Sequence, residues 1–170
     1  MTLAPIVARQ RRGSERVTGQ VRIRPIKASD EAEWRRLWTL YLEFYESTVP
    51  EEVYRTTFDR IISDHAASEA AFYEPRGLLA LSDGKPVGLV HYFYHRHCWQ
   101  VEHVCYLQDL FAVSEVRGAG VGRALIEAVY READADGCPR VYWMTQEFNA
   151  TARKLYDRIG TLTPFIKYTR

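Results

Sequence analysis

A chain of 170 residues with 46% hydrophobic side chains is the size of one domain and has enough apolar matter for a core. Its 23 basic and 22 acidic residues leave a net charge of +1, which gives no global attraction to nucleic acid or an anionic membrane. The three cysteines, Cys98, Cys105 and Cys138, form no zinc-type pairing, their odd number suits a reducing cytoplasm, and no apolar run is long enough for a membrane-spanning helix.

Residues 1–20 hold Arg9, Arg11, Arg12 and Arg16 against one acid, Glu15. This composition predicts a disordered basic tail, with a transit peptide as the alternative. The folded domain is expected over 21–170. Val21 to Pro25 alternates apolar and basic residues, as a half-buried strand does. Ser29 or Asp30 is placed to cap a helix whose face is Trp34, Trp38, Tyr41 and Tyr45, spaced 4, 3 and 4 apart. Core packing explains these rings, and the later ones also suit a pocket wall. Pro50-Glu51-Glu52 opens a second helix through Val53, Phe58, Ile61 and Ile62, with His65 placed at its end to suit the dipole. Residues 67–75 read as a connection.

Leu78 to Leu81 is a strand, and Asp83-Gly84 marks a hairpin turn into a longer strand, Val87 to Trp99. His91, His95 and His97 share one parity on it. Their spacing, taken with His103 and Cys105, matches no zinc pattern, and an aromatic-rich hairpin accounts for them as well, so no metal is expected. A third strand runs from Val104 to Val113. A glycine turn follows, then a helix carrying Val121, Leu125, Ala128 and Val129, ended by Gly137 and Pro139. Arg140 to Thr145 returns as a strand parallel to 104–113. Asn149 caps a last helix with the face Ala152, Leu155, Tyr156 and Ile159, and Thr163 to Tyr168 reads as a final strand. The order β-α-α-β-β-β-α-β-α-β predicts an α/β fold with one mixed, mostly antiparallel sheet.

The chemistry concentrates at Arg117-Gly118-Ala119-Gly120-Val121-Gly122-Arg123. Glycines let the backbone approach a ligand, and a helix starting there aims unpaired N–H groups at an anion, most naturally a pyrophosphate. The spacing is neither the dinucleotide G-x-G-x-x-G nor a Walker loop, since no Lys-Ser or Lys-Thr follows the last glycine.

Arg117-x-x-Gly120-x-Gly122 resembles the pyrophosphate motif of the GNAT family of acyl-CoA N-acyltransferases. Asn149-x-x-Ala152-x-x-x-Tyr156-x-x-x-Gly160 resembles that family's next motif at the family's separation. The resemblance covers residues 21–169, and Tyr106-Leu-Gln-Asp-Leu-Phe111 is similar to the histone- and polyamine-type branch with the yeast Hpa-type proteins. It implies a cytoplasmic, homodimeric N-acetyltransferase with acetyl-CoA as co-substrate. Transfer to a polyamine, a small amine or amino acid, or a protein lysine would be direct, because neither motif holds a cysteine. A non-catalytic acyl-CoA-binding module is the alternative.

The resemblance also implies roles. Leu110, Phe111 and Ala112 would lie along the pantetheine arm, on a strand that bulges and splays from the strand at 141–145, with an amide of Leu110 or Phe111 left free for the thioester oxygen. Gly118 to Arg123, including Ala119 and Val121, would hold the pyrophosphate with Arg117, while Asn149 and Ala152 touch the pantetheine. Tyr156 would protonate the leaving thiolate. Polyamine-type relatives carry Glu where this chain has Gln108, which cannot act as a base. Asp109 then binds the amine, relays its proton through water, or pins the fold, and Glu147 is a further candidate. Tyr41, Tyr45, Glu43 and Glu46 would wall the acceptor site.

Overall fold

The computed structural model describes residues 20–170; the tail expected over 1–20 lies, but for Gln20, outside them. Five strands form one sheet in chain order: β1 (Val21–Pro25), β2 (Arg76–Ser82), β3 (Lys85–His95), β4 (Val104–Ala112) and β5 (Arg140–Trp143). The first three pairings are antiparallel, and β4 with β5 is parallel, as the intervening helix requires. The helices are α1 (Glu31–Phe44), α2 (Glu51–Ile61), α3 (Glu69–Phe72), α4 (Val121–Ala135) and α5 (Ala150–Ile159).

Both sheet faces are covered. Val121, Leu125, Ile126, Val129 and Ala133 of α4 pack on Leu78, Val90, Tyr92, Tyr94 and Leu107. Trp34, Leu37 and Trp38 of α1, with Phe58 and Ile61 of α2, pack on Leu79 and Leu89. A strand buried on both faces reads as an unbroken apolar run, which is why Leu78-Leu79-Ala80-Leu81 lacks alternation. The hairpin turn forms as expected, with Asp83 at φ 49° and Gly84 at φ 78°.

Several elements differ from expectation. Asp30 stands at the N-cap of α1 as expected, but its side chain does not bond the helix amides: its carboxylate takes two bonds from the Arg24 guanidinium (2.6 and 2.8 Å) and one from the Lys27 amide (2.8 Å). The Arg24 bonds hold it below the usual carboxylate range. The 67–75 connection contains α3, started by the Ser68 hydroxyl, which accepts from the Ala71 amide. His65 stands beyond α2, its Nε2 lies 3.2 Å from the Pro75 carbonyl oxygen, and burial pushes its pKa down. Strand β3 ends at His95 rather than Trp99, and β5 at Trp143 rather than Thr145.

The final strand expected over 163–168 does not form; Phe165, Ile166 and Tyr168 are exposed. Pro164 lacks an amide donor and limits any strand to residues 165–168, which pair with no strand of the sheet. The expected fold class stands, with the chain's last regular element being α5.

One irregularity shapes the site. Along β3–β4, His91 faces Asp109 but Tyr92 faces Leu107, so Gln108 is an extra residue in β4. Such a bulge reverses which face later side chains meet. Cys105 and Leu107 join the α4 side; without the bulge Asp109 and Phe111 would follow them. Instead Asp109 turns toward α1, and Phe111 packs in the α1–α2 cluster.

Candidate active site

Strand β5 pairs with β4 only from Val104↔Arg140 to Leu107↔Trp143, while β4 continues to Ala112. Beyond Leu107 the sheet therefore has an open internal edge. The Val113 amide donates to Val87 on β3 (2.9 Å). In an antiparallel ladder these groups alternate, so Phe111 turns its amide to β3 and Leu110 turns its amide to the open edge. Of Leu110 and Phe111, only Leu110 turns its amide away from β3. Ala112 shares its orientation. Thr145, two residues past the last β5 pair, has a buried hydroxyl with no hydrogen-bond partner among the described residues.

At the end of β4 the chain enters the glycine turn. Gly118 (φ 82°) and Gly120 (φ 85°) hold left-handed conformations, and Gly120 is the N-cap of α4. The first helical hydrogen bond comes from the Ala124 amide to Gly120. Among the described residues, the amides of Gly118, Gly120, Val121, Gly122 and Arg123 have no backbone partner, whereas Ala119 donates to Val116. Clustered amides at the positive end of a helix form an anion seat. Arg117 is exposed, its guanidinium 5.9 Å from the Phe44 ring. Arg123 is held by Glu127 at 2.6 Å, so part of its charge is already answered. A groove of about 1080 Å³ runs beside this turn from Phe111 and Val113 to Arg117, walled by Leu40 and Phe44. A smaller hollow of about 530 Å³, lined by His65, Tyr73 and His103 among others, contains none of the expected site residues.

Helix α5 brings the second motif to the same edge. Asn149 accepts from the Ala152 amide (3.2 Å), so both residues are engaged in starting the helix. Tyr156 is half-buried with its ring 5.4 Å from that of Trp143. Burial, and then the nearby Tyr45, push its hydroxyl up to about 12.

The acceptor-side residues converge on Asp109. Its Oδ2 accepts from Trp38 Nε1 (3.2 Å) and lies 2.9 Å from His91 Nδ1. His91 Nε2 lies 2.8 Å from Trp34 Nε1, which can only donate. His91 is therefore the Nδ1–H tautomer and donates to Asp109. The sequence reading did not find this chain: Trp34 and Trp38 were core rings, and His91 lies 57 and 53 positions from them.

Tyr41 stands 5.0 Å from the Tyr45 ring and 6.5 Å from that of Phe111. Burial, then Asp109, push the Tyr41 hydroxyl strongly upward. The same causes raise Tyr45, opposed by its contact with Asn149. Tyr45, just past the end of α1, is thus close enough to touch Asn149 and to raise the Tyr156 hydroxyl. Gln108 is exposed at the bulge. Glu147 is exposed, its carbonyl accepting from Arg153 (2.9 Å), and Glu43 and Glu46 are exposed as well. Burial lifts the Cys105 thiol to about 12, a poor state for a nucleophile.

The acetyltransferase (GNAT) family model matches residues 34–161. The chain is 36% identical over 154 residues to the D-amino-acid N-acetyltransferase HPA3 of Saccharomyces cerevisiae, covering 91% of this chain and 92% of that one. It is 29% identical over 80 residues to the L-ornithine N5-acetyltransferase NATA1 of Arabidopsis thaliana, covering 47% of this chain and 35% of that one. Among solved structures, the aminoglycoside N-acetyltransferase AAC(6')-Iy in complex with CoA superposes with a TM-score of 0.73. It is 18% identical, over 89% of this chain and 95% of that one, a likeness of fold.

Proposed function

The chain belongs to the acetyltransferase (GNAT) family and is an N-acetyltransferase, and we propose that it moves the acetyl group of acetyl-CoA directly to a small primary amine of the amino-acid or polyamine class. The observation that carries the site assignment is the open edge of β4, which exposes the Leu110 amide and leads straight into the unpaired amides of Gly118 and of Gly120 to Arg123. These groups and the orphaned Thr145 hydroxyl fit a pantetheine arm ending in a pyrophosphate.

In this reading the Leu110 amide donates to the thioester oxygen as charge develops on it. Tyr156 donates to the departing sulfur, and Asp109 takes a proton from the acceptor ammonium, which cannot attack while charged. Tyr41 and Tyr45 face the cation with aromatic rings. Transfer without an acyl-enzyme fits the buried, protonated Cys105.

Acetyl-CoA at 100 times its Kd raises the melting temperature by about 5–10 °C. A panel of D- and L-amino acids, ornithine, polyamines and a lysine peptide, scored by free thiol, identifies the acceptor. An unchanged melting temperature with acetyl-CoA would remove the proposed CoA site. Two copies of the chain are proposed to pair in a reducing cytoplasm, where Cys98, Cys105 and Cys138 stay free. Sedimentation at twice the 19.8 kDa chain mass is the expected result, and a sharp monomer boundary contradicts it.

A further inference from the structure

Granting the acetyl transfer proposed above, we infer that His91 is a positioning residue that fixes the Asp109 carboxylate as the acceptor-side proton sink, with Trp38 as its second clamp. A histidine beside a carboxylate in an active site invites assignment as the base. The geometry argues otherwise. The only lone pair on the ring, at Nε2, is taken by the Trp34 N–H at 2.8 Å. A proton added there would set two N–H groups against each other in a site where His91 is 4% exposed. The ring instead transmits an orientation: Trp34 fixes the tautomer, the tautomer puts N–H at Nδ1, and Nδ1–H grips Asp109 Oδ2.

Trp38 donates to the same oxygen. Oδ1 takes neither bond, so the carboxylate keeps one oxygen unclaimed by the clamp. Asp109 is 5% exposed. Among the described residues, Tyr41 of α1, Tyr45 just after it and Tyr106 of β4 are the tyrosines whose hydroxyls the Asp109 charge raises, beside His91 of β3. The acceptor ammonium gives its proton to Asp109: an N–H bond breaks and an O–H bond forms on the carboxylate, leaving the amine neutral with a free lone pair and Asp109 an uncharged acid. The Asp109 proton goes to solvent after the products leave.

Trp34, Trp38 and His91 could instead serve packing alone. Two substitutions separate the possibilities because Asn and Gln place their amides at different ring positions. His91→Asn puts an N–H where Nδ1 stands, keeping the grip on Asp109 and orphaning the Trp34 donor. His91→Gln puts its amide where Nε2 stands, answering Trp34 and leaving Oδ2 with Trp38 alone.

Activity and stability therefore run in opposite orders. His91→Gln melts at or above the temperature of His91→Asn. Its kcat nevertheless falls about 30-fold, with the KM for acetyl-CoA unchanged, while His91→Asn keeps kcat within about fivefold of wild type. Should His91→Gln fail to fold, Trp38→Phe removes the other donor and keeps a large ring; a kcat loss of about tenfold is expected from it. If kcat follows melting temperature across the variants, or if His91→Gln and Trp38→Phe turn over like wild type, the positioning role is overturned. Acetylation by the wild-type protein is the control: no thiol release with any amine defeats the transfer reading itself, and this inference with it.

Discussion

Tyr156→Phe lowers kcat about 10²-fold and leaves the acetyl-CoA thermal shift in place. The substitution deletes one hydroxyl and preserves the ring that packs 5.4 Å from Trp143, so α5 and the open edge keep their shape. The hydroxyl sits at about 12, raised first by burial and then by Tyr45. A free thiol sits near 8.5. Outright transfer of the phenolic proton to a finished thiolate is therefore uphill. Tyr156 can help only while the C–S bond is breaking, by sharing its proton with the charge that builds on sulfur. Such an interaction exists in the transition state alone, and it is lost from kcat rather than from ground-state affinity. Two pH consequences follow. Since Tyr156 stays protonated well past pH 10, any alkaline fall in kcat below that point belongs to another group, and wild type and Tyr156→Phe share it. Stability behaves differently: the unfolded phenol ionises near 10 and the folded one near 12, so Tyr156's contribution is intact below about pH 10 and is lost as pH rises toward 12. A variant with kcat within threefold of wild type would remove Tyr156 from the reaction.

Legibility in the sequence followed the distance over which each feature is determined. The glycine turn is local: positive φ at Gly118 and Gly120 and the start of α4 at Val121 need only adjacent residues. The Asn149 cap is equally local, a side chain reaching an amide three positions on. Helix α1 was legible as an apolar stripe, because period alone identifies it. The destination of Asp109 was not. Its parity along β4 depends on where the pairing with β3 slips by one residue; the family resemblance implies a bulge on this strand, but no residue near Gln108 fixes its position. The His91 relay joins residues 57 and 18 positions apart and becomes visible only when α1 lies on that face. The missing last strand failed for the opposite reason. Its local pattern suited a strand, but a strand also needs an edge to pair with, and Phe165, Ile166 and Tyr168 stay exposed with no partner strand.

Substituting Gly120 separates binding from chemistry in the reverse direction. Gly120→Val raises the Kd for acetyl-CoA about 30-fold or more, while kcat at saturation stays within a few-fold of wild type. The residue is at φ 85°, ψ 2°, where an L side chain costs about 1–2 kcal/mol. An added Cβ meets no protein atom within 4 Å, so backbone strain is the main penalty on the free protein. That predicts a modest fall in melting temperature, roughly 3–6 °C. The bound state suffers more. To relieve strain the turn rotates its peptide planes, and the amides of Gly120, Val121 and Gly122 no longer converge where a pyrophosphate sits. Charge-assisted bonds from such amides depend on that convergence. The turn lies at the far end of the open edge from Tyr156 and Asp109, so substrate that still binds reacts at a near-normal rate. Loss of affinity well beyond the loss of stability is the expected result. A Kd within threefold of wild type, in a variant whose melting temperature has dropped as predicted, would show that the anion is seated elsewhere than on the start of α4.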